Sequence, residues 1–175
     1  MLLNPSPWVQ RFAALVRPQG SVLDLACGSG RNLRWLAAQG FAVTGIDRDE
    51  AAVAPLRDIA QVVIADVEGG PWPLPGRRFD GVVVTNYLWR ALLPTIRASL
   101  AEGGALLYET FASGQQLVGK PSRPEFLLQP GELLQACAGL RIVAFEDGFE
   151  NGRYVQRIAA VNAPAGGLDT PRYPL

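Results

Sequence analysis

Short apolar runs alternate along this chain with stretches in which apolar residues recur every three or four positions. Residues 21–26, 41–47, 61–65, 81–86 and 105–109 read as five strands, and the Val82-Val83-Val84 centre of the fourth predicts burial on both faces. Helical spacing fills the gaps. Val9, Phe12, Ala13 and Val16 follow a Ser6-Pro7 helix start and end at Pro18 and Gly20. Leu33, Leu36 and Ala37 mark one face of a helix ending at Gly40, and residues 49–60 read as helical with a kink at Pro55. Leu92, Ile96 and Leu100 predict a helix opened around Pro94 and closed by Gly103-Gly104, and Pro130 opens a short helix to Ala138.

Two further strands, residues 140–147 and 154–162, meet across Asn151-Gly152, a strong hairpin signal. The stretches 68–76 and 112–129 are broken by glycine and proline and predict loops, the second long enough to suggest a function. The pattern predicts an α/β fold, a doubly wound, mostly parallel seven-stranded sheet with a C-terminal antiparallel hairpin. Residues 1–162 form one domain in this reading, and 163–175 a loose tail.

Composition removes whole classes of chemistry. The 175 residues suit one domain, and 16 basic residues balance 16 acidic ones, so no basic surface for nucleic acid is expected. There is no histidine, which excludes Ser-His-Asp and Cys-His nucleophile pairs and any imidazole base. Cys27 and Cys137 lie far apart in sequence, so no zinc site and no disulfide framework is expected. Residues 1–8 lack the basic start and apolar run of a secretory leader, and no uncharged stretch is long enough to span a bilayer. A cytoplasmic protein without membrane partners is the expectation.

The informative segment is Val22-Leu23-Asp24-Leu25-Ala26-Cys27-Gly28-Ser29-Gly30-Arg31-Asn32-Leu33. A glycine turn between the first strand and first helix lets a ligand approach the backbone. A dinucleotide fingerprint places a third glycine where this chain has Leu33. Asp24, in the strand before the turn, would repel a pyrophosphate but suits a ligand carrying an ammonium group. Each strand-end acid, Asp24, Asp47 or Asp66, has an alternative reading as a helix cap. Cys27 reads as a small filler in the turn, and Arg77-Arg78 as a solvated turn. Gly114 to Lys120 copies most of a phosphate-binding loop, but Pro121 replaces the hydroxyl that such a loop needs.

This segment resembles the first motif of class I S-adenosylmethionine (SAM)-dependent methyltransferases, and the resemblance continues in register over residues 5–162. It implies the Rossmann-like methyltransferase fold, with SAM as cofactor and no metal. Asp47, in Val-Thr-Gly-Ile-Asp, matches the acid that holds the ribose hydroxyls, and Asp66 matches the acid that accepts from the adenine amino group, with Val67 beside the ring. Asp24, Ala26, Gly28, Gly30, Asn32, Arg48 and Asn86 complete the cofactor-binding positions that the resemblance implies. Leu-Pro before Arg78-Phe79-Asp80, and Glu102-Gly103-Gly104, resemble the family's leads into its fourth and fifth strands.

Methyl transfer from a sulfonium needs alignment more than a strong base, so a histidine-free chain can catalyse it. The resemblance puts Asn86 at the methionine end and Tyr87 on the acceptor side. The Asn-Pro-Pro-Tyr signature of amino-group methyltransferases is absent, and so is the histidine that similar small bacterial chains carry near Trp89. Glu109, ending the fifth strand, is a third candidate catalytic residue, to take a proton or bind an amine; alternatively it pairs with Lys120 or Arg123. With no separate recognition domain, a small or medium-sized acceptor is expected, the protein being a monomer or homodimer. Two alternatives stay open at this point: a non-catalytic SAM-binding protein with Trp89 filling the acceptor side, and an NAD-dependent oxidoreductase.

Overall fold

The computed structural model describes residues 4–164 and 172–175. Most of the expected tail, 163–175, therefore lies outside the described residues. Among those residues no helix is long and apolar enough to cross a membrane.

Seven strands form one sheet in the order β3-β2-β1-β4-β5-β7-β6. They are β1 (Ser21–Leu25), β2 (Ala42–Asp47), β3 (Gln61–Ile64), β4 (Phe79–Thr85), β5 (Leu100–Phe111), β6 (Arg141–Glu150) and β7 (Arg153–Val161). The first five are parallel, and β7 pairs antiparallel with both β5 and β6. This is the α/β sheet that the alternation predicts. The hairpin turn is as read: Asn151 and Gly152 both have positive φ, 50° and 78°, which a two-residue turn between right-twisted strands requires.

Alternation along each strand feeds two cores. Val22, Val43, Val83, Leu107 and Ala159 face α1 (Pro7–Phe12), α2 (Arg31–Ala38) and α3 (Glu50–Val53). Leu23, Ile46, Val82, Leu106 and Ile158 face α4 (Leu93–Ala98) and α5 (Glu132–Ala136). The three central valines of β4 are fully buried, as their position in mid-sheet demands. Asp24 and Glu109 follow the same two-residue period onto the α1/α2 face, and both are buried.

Some boundaries move. α1 stops at Phe12 and tightens into a 3-10 turn, Ala13–Leu15, and Pro55 lies in a 3-10 turn, Ala54–Leu56, instead of a continuing helix. Leu100, read as the last helical position, opens β5 opposite Phe79, and the glycine pair then forms an irregularity before Ala105 pairs with Gly81. The missing third glycine is compensated from the other side. Leu33 of α2 sits over Gly45 of β2, where an added Cβ would come within 2.6 Å of its Cδ1. Close helix–sheet packing is thus kept with the small residue on the strand.

Candidate functional site

The order of parallel strands reverses between β1 and β4, the place where open α/β sheets bind ligands. A cavity of about 200 Å³ opens at this edge, lined by Ala26, Asp47, Arg48, Asp66, Val67, Glu68 and Tyr87, with Ile46 and Ala65 at its base. Here β1, β2, β3 and β4 all end, so their following residues converge without being neighbours in sequence. Beside the cavity, Gly28 has φ +52° and nothing within 4 Å of where a Cβ would stand, leaving the turn open above its backbone.

Of the three carboxylates on the wall, Asp47 and Asp66 have backbone partners, and neither they nor Glu68 forms an ion pair among the described residues. Asp47 accepts from the Gly28 N–H at 2.7 Å through one oxygen and from the Asp49 N–H at 3.0 Å through the other. Asp66 accepts from the Glu68 and Gly69 amides at 3.0 and 3.3 Å, all through Oδ1. Those amides hold its carboxyl below the ordinary carboxylate range. Asp66 is thus tied to its own turn, and Asp47 to its own turn and the glycine turn. Neither caps a helix, since Asp49 caps α3 and, among the described residues, no helix follows β3 before β4; both side chains border the cavity.

Asp24 differs. It is 1% exposed and forms no part of the cavity wall, so the three acids do not share one open surface. Its Oδ2 is buried without any hydrogen-bond partner. Burial pushes its pKa up to about 7, against the Leu33 amide and the positive charge of Arg31, and the negative Asp47 adds to the rise. An unsatisfied carboxyl in the strand below the glycine turn is costly to folding and needs a reason. Cys27 beside it is buried and its thiol is pushed upward, first by burial and then by Asp24 and Asp47, which leaves it inert as the filler the sequence suggested.

Two residues with left-handed backbone flank the reversal point, Ala26 after β1 (φ 53°) and Asn86 after β4 (φ 55°). Asparagine tolerates this conformation; alanine is strained there, and such strain concentrates at functional sites. The segment after β4 is pinned from β5. The Asn86 N–H donates to the Glu109 carbonyl, and the Tyr108 hydroxyl donates to the Tyr87 carbonyl, both at 2.9 Å. Asn86 itself is exposed and Tyr87 half-buried. The Tyr87 hydroxyl oxygen is buried without a partner, and burial, followed by the negative Glu68, holds its phenol well above the ordinary value.

Tyr87 and Glu68 also border a second cavity of about 270 Å³, whose other walls include Asn86, Leu88, Thr110, Phe111, Pro121 and Phe126. Residues 112–129, expected to be irregular, supply two of these walls and are held in place by Arg90. Its guanidinium donates to the Glu125 and Leu127 carbonyls at 2.8 Å and pairs with Glu132 at 2.7 Å. The look-alike phosphate loop is a 3-10 turn, Gln115–Leu117, braced by Gln115 Nε2 donating to the Lys120 carbonyl. Trp89 packs against the core on the α4/α5 face and lines neither cavity.

Two expectations need correction. Glu109 lines neither cavity, because its alternation places it on the α1 face. There its Oε2 pairs with Arg157 Nε at 2.6 Å and its Oε1 accepts from Ser6 Oγ at 2.9 Å. Its cation is Arg157, not Lys120 or Arg123. Asn32 is 2% exposed with both ends of its amide engaged. Its Oδ1 accepts from the Ser6 N–H and its Nδ2 donates to Thr85 Oγ1, each at 2.9 Å, so it links the start of α1 to the end of β4 and does not line the cavity. Gly30 caps α2 in a left-handed conformation, and Arg48 is on the first cavity's wall. Tyr108, a further acceptor-side candidate from the sequence, lines neither cavity and instead holds the Tyr87 carbonyl, and Phe126 lies in the 112–129 stretch; Glu68 and Leu88 were missed. Only the proximity of Glu68 to Asp66 in sequence pointed to either of them.

Comparison with known proteins adds the following. A family model described as a methyltransferase domain matches residues 3–145. No curated protein sequence matches the chain. Among solved structures, TehB from Haemophilus influenzae superposes with a TM-score of 0.69 at 22% identity, over 85% of this chain and 59% of TehB. This chain therefore spans well under two thirds of that protein. A TehB-like SAM-dependent methyltransferase from Corynebacterium glutamicum gives 0.65 at 20% identity, over 87% of this chain and 85% of that one. The glycopeptide N-methyltransferase MtfA, complexed with S-adenosylhomocysteine (SAH), gives 0.64 at 20% identity, over 91% and 90%. At these identities the likeness is one of fold.

Proposed function

The chain belongs to the methyltransferase-domain family, and from that premise we propose that it transfers a methyl group from SAM to a small or medium-sized acceptor. The observation that carries this reading is the cavity at the β1/β4 reversal with Asp47 and Asp66 on its wall and the buried Asp24 carboxyl, its Oδ2 unpartnered, in the strand before the glycine turn. The donor set fits SAM: carboxylates without ion pairs suit hydroxyl, amino and ammonium groups, and a cavity of about 200 Å³ suits part of such a ligand with the rest lying along the open Gly28 turn.

When bound, SAM supplies an electrophilic methyl group whose carbon–sulfur bonding pair leaves with the sulfur. The chain's residues orient it. Asp47 takes the ribose hydroxyls; Asp66 accepts from the adenine amino group, with Val67 against the ring and Arg48 at the rim. Ala26, Gly28 and Gly30 leave the backbone free to approach the amino-acid end, and Asp24 provides the negative charge that its ammonium requires. Asn86 sits toward that end, and Tyr87 divides donor from acceptor. Asn32 and Glu109 act as braces for this edge. Alignment and exclusion of water are then the main catalytic effects.

Two observations bear on the alternatives. Trp89 leaves the second cavity free, which favours an enzyme over a non-catalytic binding protein. A buried carboxyl beneath the glycine turn opposes the pyrophosphate of NAD. Calorimetric titration tests the reading: SAM and SAH bind with one-to-one stoichiometry and NAD does not. Binding of NAD, or of none of the three, overturns it.

A further inference from the structure

The second cavity has a chemical character of its own. Its walls include four apolar side chains, Leu88, Phe111, Pro121 and Phe126, and one ionisable carboxylate, Glu68. No lysine or arginine lines it; Lys120 precedes Pro121 in sequence but is not part of the wall. Glu68 forms no ion pair among the described residues. Next to it, the Tyr87 hydroxyl is buried with no partner at ordinary hydrogen-bond distance, and burial together with the nearby Glu68 holds its phenol protonated. A hydroxyl both donates and accepts, whereas a carboxylate only accepts.

Chemistry narrows the acceptor. The histidine-free chain offers this cavity no base stronger than a carboxylate, too weak to ionise an alcohol or phenol. Thiolates, carboxylates and oxyanions would arrive negatively charged among apolar walls beside an unneutralised Glu68, an arrangement that costs free energy on both counts. An amine escapes the charge obstacle: its ammonium form pairs with Glu68 on binding and loses one proton to water before reaction, since a carboxylate is too weak a base to hold it. The lone pair of the neutral nitrogen then forms the carbon–nitrogen bond as the carbon–sulfur pair leaves with the sulfur. The N–H groups of substrate and methylammonium product donate to Glu68, and the Tyr87 hydroxyl satisfies a remaining hydrogen bond. The apolar walls and a volume of about 270 Å³ fit a ring-sized body behind the nitrogen.

We propose that this second cavity is the acceptor site and that it takes a primary or secondary amine carried on an apolar, ring-sized body, with Glu68 as the residue that selects nitrogen over anionic acceptors. The proposal rests on the methyltransferase reading of the first cavity. Its test uses SAH-saturated protein, so that no turnover occurs, and measures the affinities of benzylamine, benzyl alcohol and benzoate by ligand-observed NMR and calorimetry. Benzylamine binds about tenfold more tightly than benzyl alcohol, as expected for one hydrogen bond to a charged group, and benzoate binds weakest. In Glu68→Gln the advantage of the amine over the alcohol disappears; because the two probes are compared within one variant, any change in SAH affinity cancels. Phe126→Trp fills the cavity and removes benzylamine binding while SAH still binds, since Phe126 does not border the first cavity. Equal binding of the three probes, preference for benzoate, or an amine preference that survives Glu68→Gln overturns the proposal. Failure of SAH itself to bind would instead overturn the reading of the first cavity.

Discussion

The two halves of the sheet use the same residue type in opposite ways. On the β1–β4 side, Asp47 and Asp66 end their strands with only backbone amides as partners and border a cavity. On the β5–β7–β6 side, Glu109, Glu146 and Glu150 all converge on the single guanidinium of Arg157. Strand pairing explains the second arrangement. Arg157 stands directly opposite Glu109 on β5 and opposite Glu146 on β6, so antiparallel register delivers a cation to each carboxylate. In the parallel half the strands end together and are followed by turns, and no cation faces the acids across a ladder. A carboxylate at a strand end is thus a brace or a ligand holder according to whether a neighbouring strand brings it an arginine.

The largest effect expected from this contrast is on stability. Glu109 and Arg157 are both nearly buried, at about a tenth exposed, and the remaining partners Glu146 and Glu150 are far more exposed. Glu109→Ala leaves Arg157 under-compensated in the interior and lowers unfolding free energy by about 3–5 kcal/mol. Urea denaturation reads that loss, and SAH affinity of the folded fraction stays unchanged. A large loss of affinity with intact stability would reverse the roles assigned to the two halves.

The converse substitution comes next. Asp47→Ala removes a charged acceptor from the first cavity and weakens SAH binding by about 10–100-fold, the value of one or two charge-assisted hydrogen bonds. Its midpoint in urea shifts far less than that of Glu109→Ala. Calorimetry and denaturation on the same pair of variants decide the matter.

The last effect concerns Asp24 and appears only as pH rises. Its folded-state pKa, about 7, lies above the roughly 4 of an unfolded aspartate. The native state therefore holds the extra proton between those values, and stability falls as pH rises from about 4 to about 7. Asp24→Asn removes this loss. The variant gains on the native protein through that window, by up to about 4 kcal/mol or roughly 8–16 °C in Tm on the alkaline side. It gains nothing at pH 4, and it binds SAM more weakly. Thermal scans across pH without ligand, with titrations at pH 8, check both halves of the expectation. A Tm difference independent of pH would mean that Asp24 is not the titrating group.

The candidate site was only partly legible before folding. Asp47, Asp66 and Val67 follow the second and third strands directly, so finding the strands found the residues. Asp24 was located too, but its depth was not: which face an in-strand acid takes follows from the period, whereas how completely α2 covers it depends on packing. Glu109 was misread because its partner lies in β7, 48 positions along the chain. The second cavity was invisible as a unit, since Leu88, Phe111 and Phe126 come together only when Arg90 holds the 112–129 stretch over the ends of β4 and β5.

The sequence alone determined the alternation of strands and helices, the antiparallel hairpin at Asn151-Gly152, the glycine turn after β1 and the two acids after β2 and β3. These depend on local periodicity and turn chemistry, which act within a few residues. Tertiary structure alone decided which carboxylates find a cation, which one is left unsatisfied beneath the turn, and where a second cavity opens. Those outcomes depend on the register between distant strands and on how helices and loops cover the sheet, and no local pattern encodes either.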